Sequence, residues 1–314
     1  MVPLNLLCHS QGLLEDVGRL FIVAGLSRTF ALVEQFLDFL LLGSLRVAQD
    51  ESSDAKRAQK KKVQKLFNEG KSAAQSGNYE EASDIFEKAL TMAEEIQWDQ
   101  AVQMSQQFLV KSLKEAGTTA NKEENYETAL DYYEKVLQYV DNDPAVHYNR
   151  GIALLGANRT EEGLQSLQRA IEIGNKTGNT RVAGRATERI RAEFISRASE
   201  ALQGENSSQA QINAALEALD RMREYADPSA NSLFYRALAL HRDGQHAQAI
   251  QTARRGLNMH QGSRSDAAKY HYYIAESQMA LGDKATACRT FNNAAYGDYE
   301  ARANHALEND CDDL

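Results

Sequence analysis

The stretch GNYEEASDIFEKAL at residues 77–90 is written again 47 residues later as ENYETALDYYEKVL at 124–137, with 8 of 14 positions identical. The shared positions include Asn78/Asn125, Tyr79/Tyr126, Ala82/Ala129 and Leu90/Leu137. A catalytic site is rarely duplicated in this way. A structural unit that cannot bury its own apolar face must stack on a copy of itself, and the doubling is therefore read as architecture before any chemistry.

Working outward, each copy has a partner segment in front of it, VQKLFNEGKSAAQSG at 63–77 and VKSLKEAGTTANKEE at 110–124. In both, a large apolar residue (Leu66, Leu113), a Gly four later (Gly70, Gly117) and an Ala three beyond (Ala73, Ala120) fall on one helical face. Small residues there let two helices cross closely. A third copy keeps the spacing, with Gly151 34 residues after Gly117 and Ala170 34 after Val136. Pro144 stands just before it, where a helix starts afresh. Fainter copies carry Ala237, Gly244, Ala249 and Ala253, then Ala275, Gly282, Ala287, Phe291 and Ala294.

With only 3 Pro, 43% hydrophobic residues and long runs of Ala, Glu, Gln, Lys and Leu, the chain reads as all-α throughout its 314 residues. A formal charge of −9 argues against a general nucleic-acid binder, and no nucleic-acid partner is expected. The one basic run, AKRAQKKKVQK at 55–65, reads first as the solvated start of a helix and second as a membrane-surface or nucleic-acid contact. Cys8, Cys288 and Cys311 are an odd, scattered set, so no disulfide framework and no metal site is expected from them.

Residues 1–50 stand apart from the repeats. Arg28, an apolar stretch from Phe30 to Leu45 and a small-residue end before DESSDAKR have the layout of a secretory signal or membrane anchor. Against that, Glu34 and Asp38 interrupt the stretch, Arg46 stands where a cleavage site prefers a small residue, and the run is shorter than the roughly 20 residues a spanning helix needs. The alternatives are an amphipathic helix, packed or partner-binding, and a mis-set start codon. Export or a membrane tether through residues 28–48, with a mature chain beginning near residue 49, is the favoured expectation. Leu7 before Cys8 does not suit lipidation.

The order of small and aromatic positions resembles the tetratricopeptide repeat, a helix–turn–helix of 34 residues. The resemblance implies a right-handed superhelical solenoid over 51–314, with units at about 63–96, 110–143, 144–177, 180–228, 230–263 and 268–298 and a capping helix at 299–308. The unit at 180–228 is degenerate, with a longer turn, GENSSQ. In the family certain first-helix positions line the concave surface. Carried onto this sequence they are Phe67, Asn68 and Lys71; Lys114 and Glu115; Tyr148, Asn149 and Ile152; Phe234, Tyr235 and His241; and Lys269, Tyr272, Tyr273 and Glu276. Aromatic rings with polar tips suit an extended peptide or a helix. The competing reading is that these aromatics close the fold on itself. One subgroup of the family grips acidic C-terminal tails with a lysine–asparagine–lysine–arginine set; Phe67, Lys71 and Glu115 at the matching places do not supply it.

Enzyme signals are weak. The chain has no nucleotide-binding glycine loop and no His-Glu-x-x-His, and His241 and His246, five apart across the turn at Gly244, do not share a helical face. Trp98, in an insertion of 13 residues between the first two units, reads as a seam plug before a recognition anchor. The expectation is a non-enzymatic scaffold that binds a partner protein on its concave face without a cofactor. The alternatives are an envelope-associated structural subunit tethered by residues 28–48 and a small-ligand binder or enzyme using 178–228.

Overall fold

The computed structural model describes residues 53–204 and 206–311, and among these there is no strand. The expectations placed on residues 1–50 lie outside the described residues. Helix α1 covers 53–75, followed by α2 (Tyr79–Glu95), α3 (Asp99–Lys122), α4 (Tyr126–Tyr139), α5 (Pro144–Gly156) and α6 (Thr160–Thr177). The chain continues through α7 (Thr180–Ala201), α8 (Gln209–Met222), α9 (Ala230–Arg242), α10 (His246–Met259), α11 (Arg264–Ala280) and α12 (Lys284–Ala294). A 3-10 turn at Gly297–Tyr299 leads into α13 (Glu300–Asp310). The chain divides into two compact units, one ending at Ser112 and the other starting at Leu113.

Local chemistry sets the helix starts. Pro144 opens α5 with Asp143 capping the Ala145 N–H, and the serines at 208, 229 and 263 each form a reciprocal capping box. The turns inside the repeats share one device. Except before α8, the residue two before each second helix takes a left-handed backbone: Gly77 at φ 83°, Glu124 at 61°, Asn158 at 61°, Gly244 at 76° and Gly282 at 81°. Glycine holds that conformation without a steric cost; Glu124 holds it against one.

Packing repeats as the turns do. In the first unit, a Cβ placed on Gly70 would stand 2.9 Å from the Phe86 ring, and Phe67, Phe86 and Phe108 form a triad with centroids 5.0–5.5 Å apart. In the second, a Cβ on Gly117 would stand 2.7 Å from the Tyr133 ring, and one on Gly151 2.8 Å from Leu167. Ala82, Ala129, Ala249 and Ala287 sit at matching places on the second helices, all buried. The residues inserted around Trp98 are taken up in the turn before α3 and in that helix's first turns, where Trp98 packs beside Val63, Ala93, Ile96 and Ala101.

One cysteine expectation is corrected. Cys288 in α12 and Cys311 just after α13 form a disulfide with Cα atoms 5.8 Å apart. Their separation of 23 residues carried no recognisable spacing; the return of α13 onto α12, through Phe291, Ala294, Ala303 and Ala306, brings them together.

Gly117→Leu should lower stability by about 1–3 kcal/mol or more, because the Tyr133 ring already occupies the space. Gly184→Ala, in α7 where an added Cβ meets nothing, should be neutral or stabilising by up to about 1 kcal/mol. Thermal melts by circular dichroism check both; an unchanged melting temperature for Gly117→Leu would contradict this packing.

Candidate partner-binding surface

Beyond chain neighbours, the helix contacts of the second unit run between alternate helices, α5 with α7, α7 with α9 and α9 with α11. These are all first helices of their pairs. One side of this stack is therefore built from first helices, and the carried-over positions Tyr148, Asn149, Phe234, Tyr235, Tyr272, Tyr273 and Glu276 belong to three of them.

The densest constellation joins α9, α11 and the 3-10 turn. Phe234 stands edge-on to Tyr235 at 5.1 Å and to Tyr270 at 5.7 Å, and it meets Tyr273 at 5.9 Å. Tyr273 meets Tyr272 at 5.3 Å and His241 at 5.6 Å, and Tyr299 contacts both tyrosines, at 5.2 Å and 6.1 Å. Edge-to-face and tilted contacts of this kind add to burial because ring edges meet ring faces. The tips remain polar. The Ser199 hydroxyl donates to the Tyr235 oxygen at 3.1 Å, Tyr273 and Tyr299 are hydrogen-bonded to each other, and Tyr272 to Glu276. Burial raises the Tyr272, Tyr273 and Tyr299 phenols and the Glu276 carboxyl above their ordinary values.

The predicted residues fall into different environments. Phe234 is 6% exposed and belongs to the core with Leu219, Leu238 and Tyr270, so packing and not an open face governs it. Tyr235, Tyr272, Tyr273 and Glu276 are half-buried. Tyr148 lies apart from this cluster on α5, with the Arg185 guanidinium 4.6 Å from its ring centre. The Asn149 carbonyl accepts from the Asn121 amide at 3.0 Å. In the first unit, Phe67 belongs to the phenylalanine triad while Asn68 and Lys71 are exposed. Phe67 and Asn68 line a cleft of about 390 Å³ with Trp98 and Met104, so Trp98 both packs and presents an open face.

Sequence reasoning missed one ring of this cluster and one contact between side chains. Tyr299 reads as part of a polar cap, yet the 3-10 turn folds its ring onto α11. His241, carried over as a concave position, and His246, which do not share a helical face, nevertheless have ring centres 5.2 Å apart because the turn at Gly244 reverses the chain. The His241 Nδ1 lies 2.9 Å from the Ser277 hydroxyl, and burial, with His246 and Arg242 adding like charge, pushes its pKa down to about 4. Among the described residues no three His, Cys, Asp or Glu side chains converge as a metal site, and no helix is long and apolar enough to cross a membrane. Residues 178–228, set apart as degenerate, form an ordinary pair, α7 and α8, burying Ile190, Phe194 and Met222.

A stack of helix–turn–helix units crossing at glycine and alanine defines an α-helical repeat protein. Family models described as tetratricopeptide repeat match residues 66–96, 120–184, 207–265 and 270–295, together more than half of the chain. The chain belongs to the tetratricopeptide repeat family, whose fold serves as a protein-interaction scaffold. No curated protein matches it significantly. Among solved structures, a tetratricopeptide repeat protein from Parabacteroides merdae is 13% identical, with 80% of this chain and 99% of that chain covered and a TM-score of 0.32. The TPR2AB domain of yeast Sti1, in its pHSP90 complex, is 17% identical over 79% and 95%, TM-score 0.29. Yeast Tom70 is 15% identical over 74% and 59%, TM-score 0.29.

The neutral, buried His241 ties stability to pH. Its pKa of about 4 lies below the roughly 6.5 of an unfolded histidine, so its contribution is complete above about pH 6.5 and is lost as the pH falls toward about 4. His271, also lowered by burial, acts in the same direction. His241→Asn removes the titration and keeps a hydrogen-bonding tip for Ser277. It should reduce the fall in melting temperature between about pH 7 and about pH 4.5, by the equivalent of about 2 kcal/mol at most. Parallel wild-type and variant curves over that range would refute the assignment.

Proposed function

We propose that this protein is a non-enzymatic scaffold that binds a peptide or helix of a partner protein on the side formed by its first helices. The observation that carries this reading is the half-buried run of Tyr235, Tyr273, Tyr272 and Tyr299 between α9, α11 and the 3-10 turn, with Glu276 at its edge. Rings of this kind offer large contact area with few rotatable bonds, and their hydroxyls pair with a partner backbone. Phe234 supports the rings from beneath. Tyr148 and Asn149 on α5 extend the surface along the same series of first helices, and Asn68 and Lys71 on α1 belong to the corresponding positions of the first unit.

Binding and folding should separate by residue. Partners captured from native extract by the immobilised full chain would be identified by mass spectrometry, and affinities then measured with the purified partner. Tyr235→Ala, Tyr272→Ala and Tyr148→Ala should each weaken that affinity by about 1–2 kcal/mol where the ring is an anchor, with a modest change in melting temperature. Phe234→Ala, removing a buried ring, should instead cost about 3 kcal/mol or more of stability. Tyrosine variants that melt early yet bind undiminished in the cold would place the contact surface elsewhere.

A further inference from the structure

A second polar site lies on the other side of α9. Along that helix, at about 100° per residue, Ser232, Leu233 and Arg236 point away from Phe234 and His241. They open into a cleft of about 380 Å³ bounded by the end of α8, the loop after it and the last turns of α10. Its floor is apolar and buried, made of Leu219, Met222 and Leu233. Its rim carries Arg223 from the loop after α8, Arg236 from α9 and Arg255 from α10.

The charge in this cleft is out of balance. Among the described residues the one carboxylate that pairs with these arginines is Asp220, at 2.6 Å from Arg236 and 3.9 Å from Arg223. Arg255 makes no ion pair among the described residues, and the side chains of Gln251 and Thr252, on the same face of α10, make no hydrogen bond among them. Three guanidinium groups against one carboxylate leave a local excess of two positive charges in a chain whose formal net charge is −9. Such a concentration in a concave site, with donors held on three segments, matches an anion of charge near −2 that accepts several hydrogen bonds at once. A phosphate monoester meets both conditions at neutral pH, whereas a single carboxylate would leave one charge unmatched.

We propose that this cleft binds a phosphate monoester, with Arg255 and Arg223 closing on the phosphoryl oxygens, Arg236 held in place by Asp220, and Gln251 and Thr252 donating from α10. The ester's organic portion rests on Leu219, Met222 and Leu233. A phosphorylated side chain of a partner and a free small phosphomonoester present the same chemistry. The site is separate from the aromatic surface and does not depend on it.

The test is calorimetric titration of the full chain at constant ionic strength with phenyl phosphate, inorganic phosphate, benzoate and a phosphoserine peptide. Phenyl phosphate should bind and be displaced by inorganic phosphate, and benzoate should bind at least about tenfold more weakly. Arg255→Gln should weaken phenyl phosphate by about tenfold or more, while Arg254→Gln, next to it but outside the cleft lining, should leave it unchanged. Both positions are exposed, so melting temperatures should stay at the wild-type value and confirm that each variant folds. Tighter binding of the phosphopeptide than of phenyl phosphate assigns the site to a partner protein; equal or weaker binding assigns it to a small phosphomonoester. Absence of binding by every phosphate probe, benzoate binding as tightly as phenyl phosphate, or equal losses in the two arginine variants would overturn the proposal.

Discussion

The contact on which the rest of the structure depends is the meeting of a glycine in a first helix with a large side chain in the second. Gly70 faces Phe86, Gly117 faces Tyr133 and Gly151 faces Leu167, each with no room for another carbon. Where the first-helix residue is Ala237 or Ala275, the facing second-helix positions hold the small Ala253 and the ring of Phe291, again fully buried. The missing side chain brings the two backbones together, and that separation sets where the next pair can stack. Bulk at any of these points would displace more than one residue, because each pair is also the template for its neighbour.

This arrangement leaves aromatic residues two distinct roles. Rings between the helices of a pair, such as Tyr133 and Phe291, are wholly buried, and burial pushes the Tyr133 phenol up to about 12 with Thr118 and Asn121 satisfying its hydroxyl. Rings on first helices that meet across neighbouring pairs, such as Tyr235, Tyr272 and Tyr273, are half-buried. Phe234 lies between these roles and belongs energetically to the first, since it has no polar tip to hold it at the boundary. The same physics explains His241. A turn that buries its ring beside His246 and Arg242 favours the uncharged imidazole, and Ser277 supplies the hydrogen bond that neutral form needs.

Function enters where this packing stops. The side formed by first helices presents a strip of tyrosine rings, while the opposite side of α9 carries an excess of guanidinium groups. The two differ in what they can recognise, one by area and hydrogen-bond tips, the other by charge and geometry. Both are consequences of one helix having two exposed flanks within the stack.

Much of this was legible in the residue order. The repetition of Gly, Ala and aromatic positions determined the all-α fold and the repeating unit, whose seam Phe86, Tyr133 and Phe291 fill, because those positions are set by contacts inside one helix pair, close in sequence. The contacts that sequence spacing did not reveal join segments whose approach depends on turns and on stacking. The Cys288–Cys311 disulfide needs α13 to fold back on α12, the His241–His246 contact needs the reversal at Gly244, and Tyr299 joins the aromatic strip through a 3-10 turn that reads as a polar cap. Likewise Arg223, Arg236 and Arg255 lie 13 and 19 residues apart on separate elements, and their shared cleft exists because α8, α9 and α10 pack around it. Periodic local contacts are written in the residue order; which faces remain open, and which distant side chains share them, is decided when the helices stack.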